Sequence, residues 1–279
     1  MAYKTILVHL DQKERAASRI RIAANLAKAE DAYLIGAAMI GISTLTFREA
    51  RISEKDPALA AHLKFLAERA EGFVEGFVQE VNAMGVLSYE GRVVDGEANY
   101  GISMQARYSD LVVIGRTNLN EEAPIVQPDF PEFVVIHTGR PVLLIPPGYE
   151  KDTVGSKVLI SWNASKEVRR AVTDAIPLLR RADVVEVAMF NVDSEPDMRD
   201  EASVTDLAVY LARHGVNVHI LQPRQARNIG TALLEIAKER GSDLLVLGGY
   251  GHTRFRQFLL GGVTRTILSE SPLPVLMSH

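Results

Sequence analysis

Apolar residues in this chain fall in short solid blocks, separated by longer stretches where they recur at helical spacing. Blocks at Thr5–Leu10, Tyr33–Ile40, Leu87–Val94, Leu111–Gly115 and Pro141–Ile145 read as strands in the first half. Lys157–Ser161, Val184–Phe190, Val216–Leu221, Asp243–Leu247 and Pro274–Met277 read so in the second. Helices are expected near Glu14–Ala29, Pro57–Met84, Tyr100–Tyr108 and Phe130–His137, then near Lys166–Arg180, Asp200–His214, Ile229–Arg240 and Thr264–Ser269. In the Ile229 helix, Ile229, Ala232, Leu233, Ile236 and Ala237 make one apolar stripe. Strands that alternate with helices imply a parallel sheet covered on both faces, and right-handed crossovers favour a doubly wound one.

The pattern also repeats. Asp110-Leu-Val-Val-Ile-Gly115 matches Asp243-Leu-Leu-Val-Leu-Gly248 at an offset of 243 − 110 = 133, and Pro141-Val-Leu-Leu matches Pro274-Val-Leu-Met at 274 − 141 = 133. The opening strands match at 158 − 6 = 152, which places an insertion in the first repeat, expected at Ile42 to about Ala60. Fixed-offset similarity of this length means duplicated domains, here 1–148 and 155–279, joined by a linker at Asp152–Ser156 after Gly148. The fold expected is α/β, two tandem doubly wound domains, each with a five-stranded parallel sheet. The last strands, Val142–Ile145 and Val275–Met277, are edge candidates.

Composition narrows the function. With 279 residues, 47% apolar content and a net charge of −4, the chain has ample core for two domains and no broad basic field for nucleic acid. It has no cysteine, which excludes disulfides and thiolate chemistry. The N-terminus enters a strand-like run without a signal-type apolar region, and no apolar run is long enough to span a bilayer, so no membrane partner and a cytoplasmic location are expected.

Candidate chemistry concentrates near the C-terminus. The strand Asp243–Leu247 ends in Gly248, Gly249 and Gly251, and Gly261-Gly262-Val263-Thr264 follows where a helix should begin. Glycines past the carboxyl end of a buried strand let a ligand's phosphates approach backbone N–H groups, and a helix start adds its dipole. Ligands of doubly wound sheets bind at that edge, which also carries Asn163 and, in the first repeat, Asp11. Each feature has a plainer reading: a turn at Gly248–Gly251, an N-cap at Thr264, a turn and cap at Asn163 and Ser165. In the same way Asp11 reads as a loop residue, His9 as a core histidine and Trp162 as packing rather than stacking on a base. The basic loop His252–Arg256 is either a phosphate clamp or an exposed loop.

At these residues the chain resembles the universal stress protein family in its tandem two-domain form. That family carries glycine, two residues, glycine, nine residues, then glycine and serine or threonine, and an acidic residue after its first strand. Gly248, Gly251 and Gly261 stand at the matching spacings, and the resemblance covers the second repeat more strongly than the first. It implies an adenine nucleotide alpha hydrolase-like fold, ATP with or without magnesium as cofactor, and a site comprising Asn163, Gly248, Gly249, Gly251, His252, Gly261, Gly262, Val263 and Thr264. It also implies that the last strands of the two repeats pair within the chain, and it allows a further homodimer. Two departures weaken the second site: Gly262 replaces the hydroxyl residue and Asn163 the acid. The first repeat departs further. Gly115 is followed by Arg116, and Pro124–Pro131 is proline-rich, with Asp129 and Glu132 at its end, so no ATP is expected there.

No phosphate loop of the G-x-x-x-x-G-K-[ST] type, dinucleotide fingerprint, metal-spaced histidine set or nucleophile–base pair is visible, so no catalytic or metal residue is expected. The expectation is a stress-response protein that binds an adenine nucleotide in its second domain and hydrolyses it slowly at most. The alternative is a nucleotide-independent interaction or chaperone-like protein. A hydrolase reading lacks its constellation.

Overall fold

The computed structural model describes residues 2–42, 56–116, 126–190, 201–223, 226–250 and 262–279, with the backbone alone at 13–15 and 201–204. The chain divides into two compact units.

The N-terminal unit, Tyr3–Arg140 with Glu150–Asp152, contains β1 (Thr5–Leu10), α1 (Lys13–Glu30), β2 (Tyr33–Met39), α2 (Pro57–Ala83), β3 (Tyr89–Val94), α3 (Ala98–Gln105), β4 (Leu111–Gly115) and α4 (Phe130–His137). The strands are parallel in the order β3-β2-β1-β4. The chain travels outward from β1 to β3 and then crosses back to β4. Right-handed crossovers therefore place α1 and α2 on one face and α3 and α4 on the other. The central strands β1 and β4 are buried except at Thr5 and Gly115, as a sheet covered on both faces requires, while the edge strand β3 is half exposed. Asp56 starts α2 by accepting from the amides of Ala58 and Leu59 at 2.9 and 3.2 Å, with Pro57 in the first turn. The stretch expected as an insertion is thus already helical from Pro57; residues 43–55 lie outside the described part.

The C-terminal unit holds Pro141–Tyr149 and Thr153–His279. Its elements are β5 (Val142–Ile145), β6 (Lys157–Trp162), α5 (Lys166–Leu179), β7 (Val184–Met189), α6 (Glu201–Arg213), β8 (His219–Leu221), α7 (Ile229–Arg240), β9 (Leu244–Gly248), α8 (Gly262–Glu270) and β10 (Val275–Ser278). The order β8-β7-β6-β9-β10 is parallel and permuted as in the other unit. One strand departs from the expected five-stranded parallel sheet. β5, from the first repeat of the sequence, joins this sheet as a sixth strand and runs antiparallel to β10, with Leu143 opposite Leu276. Every residue of β5 is buried, so its apolar edge finds a ladder partner instead of water.

Local caps explain the helix starts. Ser165 accepts from Val168 N at 3.3 Å before α5, and Asn228 accepts from Thr231 N at 3.2 Å before α7. The α7 stripe turns Leu233 and Ala237 inward, and Gly230 admits α8 so closely that a Cβ there would sit 2.7 Å from Thr266. Asp243 stands at the amino end of β9, not at its mouth, and its carboxylate takes the amides of Gly155, Ser156 and Lys157. Among the described residues no helix is long and apolar enough to cross a membrane.

Candidate functional site

In the C-terminal unit β6, β7, β9 and β10 all run parallel, so the helices that return from β6 and β9 must begin at the carboxyl edge of the sheet. α5 and α8 are those helices. Their first turns leave backbone N–H groups without partners inside the helix, and these face the edge where β9 ends.

Gly248 joins α5 to β9. A Cβ at this position would sit 2.5 Å from Val168 N and 2.7 Å from the Cβ of Glu167, so only glycine lets the first turn of α5 close on the strand end. Tyr250 follows with φ +58, a left-handed turn that directs the chain off the strand. Gly249 is tied into the scaffold. Its N–H donates to Ser278 O at 2.9 Å, and its carbonyl accepts from His279 Nδ1 at 3.0 Å. Arg170 Nη1 in turn donates to His279 O at 2.9 Å.

Asn163 lies exposed between β6 and α5. Its Oδ1 accepts from Ser165 N at 3.2 Å, and Ala164 between them has φ +56. The side chain expected to meet a nucleoside therefore spends its oxygen on a local turn. Trp162 is buried at 7% exposure.

Gly262 opens α8, and no described atom lies within 4 Å of where a Cβ would stand. Val263 is half-buried. Thr264 is buried in the first turn, not the residue before the helix, so its reading as an N-cap is corrected: α8 starts two residues earlier than the apolar spacing suggested. Gly251, His252 and Gly261, and the basic loop to Arg256, lie outside the described residues. Of the expected site, the structure brings Asn163, Gly248, Gly249, Gly262, Val263 and Thr264 to one edge of one unit.

A further residue at this edge escaped the sequence reading. Glu167 is 2% exposed in the first turn of α5, against Gly248. Its Oε1 lies 3.5 Å from Lys166 Nζ, and its Oε2 has no hydrogen-bond partner among the described residues. An acid two residues after a serine cap looks in sequence like an ordinary helix-start charge; only the approach allowed by Gly248 buries it.

The corresponding edge of the N-terminal unit is filled differently. Asp11 pairs with Arg19, whose side chain is 3% exposed. The guanidinium lies where a Cβ on Gly115 would go. His9 is 1% exposed, with its ring 4.8 Å from that of Phe130. Burial pulls its pKa down from 6.5 to about 4; the Asp11 charge opposes that and Arg19 reinforces it. His9 is the core histidine the sequence suggested. Burial also lowers the pKa of Arg116, next to Gly115. Among the described residues no group of acidic and histidine side chains could hold a metal.

Helix starts and a bare glycine at one edge present N–H groups and positive dipole ends, the chemistry of anion binding. Comparison with known proteins agrees in architecture. A universal stress protein from Archaeoglobus fulgidus superposes over 98% of this chain and 97% of its own with a TM-score of 0.74 at 16% identity. A functionally unknown protein from Pseudomonas aeruginosa PAO1 covers 99% and 92% with a TM-score of 0.59 at 16% identity. The universal stress protein MJ0577 of Methanocaldococcus jannaschii is 36% identical over 45 residues, 16% of this chain and 28% of that relative's length. The Universal stress protein family matches residues 156–279, so the C-terminal region of this chain carries a domain of that family.

Proposed function

We propose that the chain is a cytoplasmic universal stress protein whose C-terminal domain binds an adenine nucleotide, ATP with or without magnesium. The observation that carries this reading is the close approach of the first turn of α5 to the glycine end of β9, at the carboxyl edge of the sheet where α8 also begins. Gly251 and Gly261 stand at the spacing the resemblance assigns to phosphate contacts. The N-terminal unit is a second domain of the same ancestry that holds no nucleotide, because Arg19 lies beside Gly115 and pairs with the acid that would face a nucleoside. Hydrolysis is slow and incidental.

A nucleotide-independent interaction role is the second reading. It is favoured by Gly249 N–H and Asn163 Oδ1, two groups expected to meet a ligand that are already bonded within the chain. Calorimetry and thermal melting of the full chain with ATP, with and without magnesium, separate the two. ATP should raise the melting temperature, and Gly251→Val should remove the rise by filling phosphate space. Protein that purifies without nucleotide and melts unchanged in millimolar ATP would leave only the second reading.

A further inference from the structure

We propose that Glu167 is the ribose-selecting residue of the C-terminal site: its free carboxylate oxygen accepts hydrogen bonds from the vicinal hydroxyls of the nucleotide sugar. The inference rests on the nucleotide-binding reading above and adds a residue that neither the glycine pattern nor the family resemblance assigned.

A carboxylate shut away from water needs donors. Glu167 is 2% exposed, yet among the described residues Oε2 has no hydrogen-bond partner and Oε1 has only the ammonium of Lys166 at 3.5 Å. The Lys166 side chain is 70% exposed, so water competes for that contact. An unsatisfied buried acceptor is uncommon in a native fold and is expected where a ligand completes the set. The stem of Glu167 packs on Gly248 at the carboxyl end of β9, the edge assigned above to the nucleotide.

The group that completes this carboxylate must bring hydrogen-bond donors. A phosphate offers only acceptors and negative charge, which the carboxylate repels. A ribose offers two O–H donors on adjacent carbons, matched to a carboxylate oxygen, as acidic residues do for dinucleotides in doubly wound sheets. Asn163 is the weaker acceptor: its amide is neutral, and one lone pair of Oδ1 already holds Ser165 N. The acid absent at position 163 is replaced one helical turn on, from the start of α5.

Calorimetry with ATP, 2′-deoxy-ATP, 3′-deoxy-ATP and inosine triphosphate tests this on the full chain and on Glu167→Leu, Glu167→Gln and Lys166→Ala. Leucine keeps the volume in a buried place, and thermal melting confirms that each variant folds. The full chain should bind ATP roughly tenfold or more tightly than a deoxy analogue, the range for a charge-assisted hydrogen bond. Glu167→Leu should bind ATP and the deoxy analogues alike, Glu167→Gln should fall between, and Lys166→Ala should keep the preference. A purely structural Glu167 would lower stability without changing the ratio between sugars, which overturns the proposal. So does a loss that appears in the ratio of ATP to inosine triphosphate, because the partner is then the base. If ATP binds with no sugar preference, this inference alone fails; if no nucleotide binds, the function proposed above fails with it.

Discussion

Asp110 and Asp243 stand 133 residues apart and do the same work. Each precedes a buried strand and turns its carboxylate onto the backbone that leads into the unit's first strand. Asp110 Oδ2 takes Lys4 N at 2.7 Å and Thr5 N at 2.9 Å. Asp243 takes Gly155 N and Ser156 N at 3.2 Å and Lys157 N at 2.8 Å. The two carboxylates pin β1 to β4 and β6 to β9 at their amino ends, away from the ligand edge. Removing one should loosen the sheet without touching the site. Asp243→Ala leaves three amides short of an acceptor in a residue 6% exposed, and about 2–4 kcal/mol of stability should go, by the usual desolvation penalty of such groups. Asp110→Ala, with two amides and more water nearby, should cost less. Chemical denaturation of the two variants checks the order.

Gly248→Ala should be costly for its size. The new methyl would meet backbone nitrogen, which cannot rotate away, so α5 must lift from β9. Overpacking of this kind costs about 1–3 kcal/mol. Melting of the variant should show that loss, and ATP binding should weaken along with it. Gly248→Ala melting like the parent chain would mean that α5 moves freely there.

Gly262→Ser should act in the opposite direction. No described atom lies within 4 Å of the added Cβ, and the resemblance places a hydroxyl residue there. Serine at a helix start costs little, and its O–H is a donor toward phosphate. Calorimetry should show tighter ATP binding, by roughly tenfold for one good hydrogen bond to a charged group. Weaker binding would place the phosphates elsewhere.

His9 makes stability pH-dependent. Its folded pKa, about 4, lies below the unfolded 6.5, so the unfolded chain binds the proton first as pH falls. The stabilising contribution is complete above pH 6.5 and is lost as pH drops toward 4, on the order of 3 kcal/mol in total. Denaturation of the parent chain and of His9→Phe across that range should differ in slope, with the variant flatter. Parallel slopes would place the titration in other groups.

The element pattern was legible because solid apolar blocks and helical stripes are local features. Most strands and helices begin and end within one or two residues of where the spacing puts them; Phe130–His137 and Ile229–Arg240 coincide. What escaped was long-range. Arg19 in the middle of a helix reads as a solvated charge, and nothing near it in sequence shows that Gly115, 96 residues on (115 − 19 = 96), leaves room for its guanidinium. Glu167 was missed for the same reason at Gly248. The amide of Gly249 looked free for phosphate until Ser278, from the next strand, claimed it.

The antiparallel seating of β5 on β10 sets where this protein can be cut. A fragment excised at residue 155, the boundary that sequence similarity suggests, would lose the strand that shields β10 and present a raw apolar margin to other copies. A fragment begun at residue 141 takes that shield along. The shorter piece should precipitate or self-associate at a lower concentration than the longer one, which gel filtration of the two fragments checks.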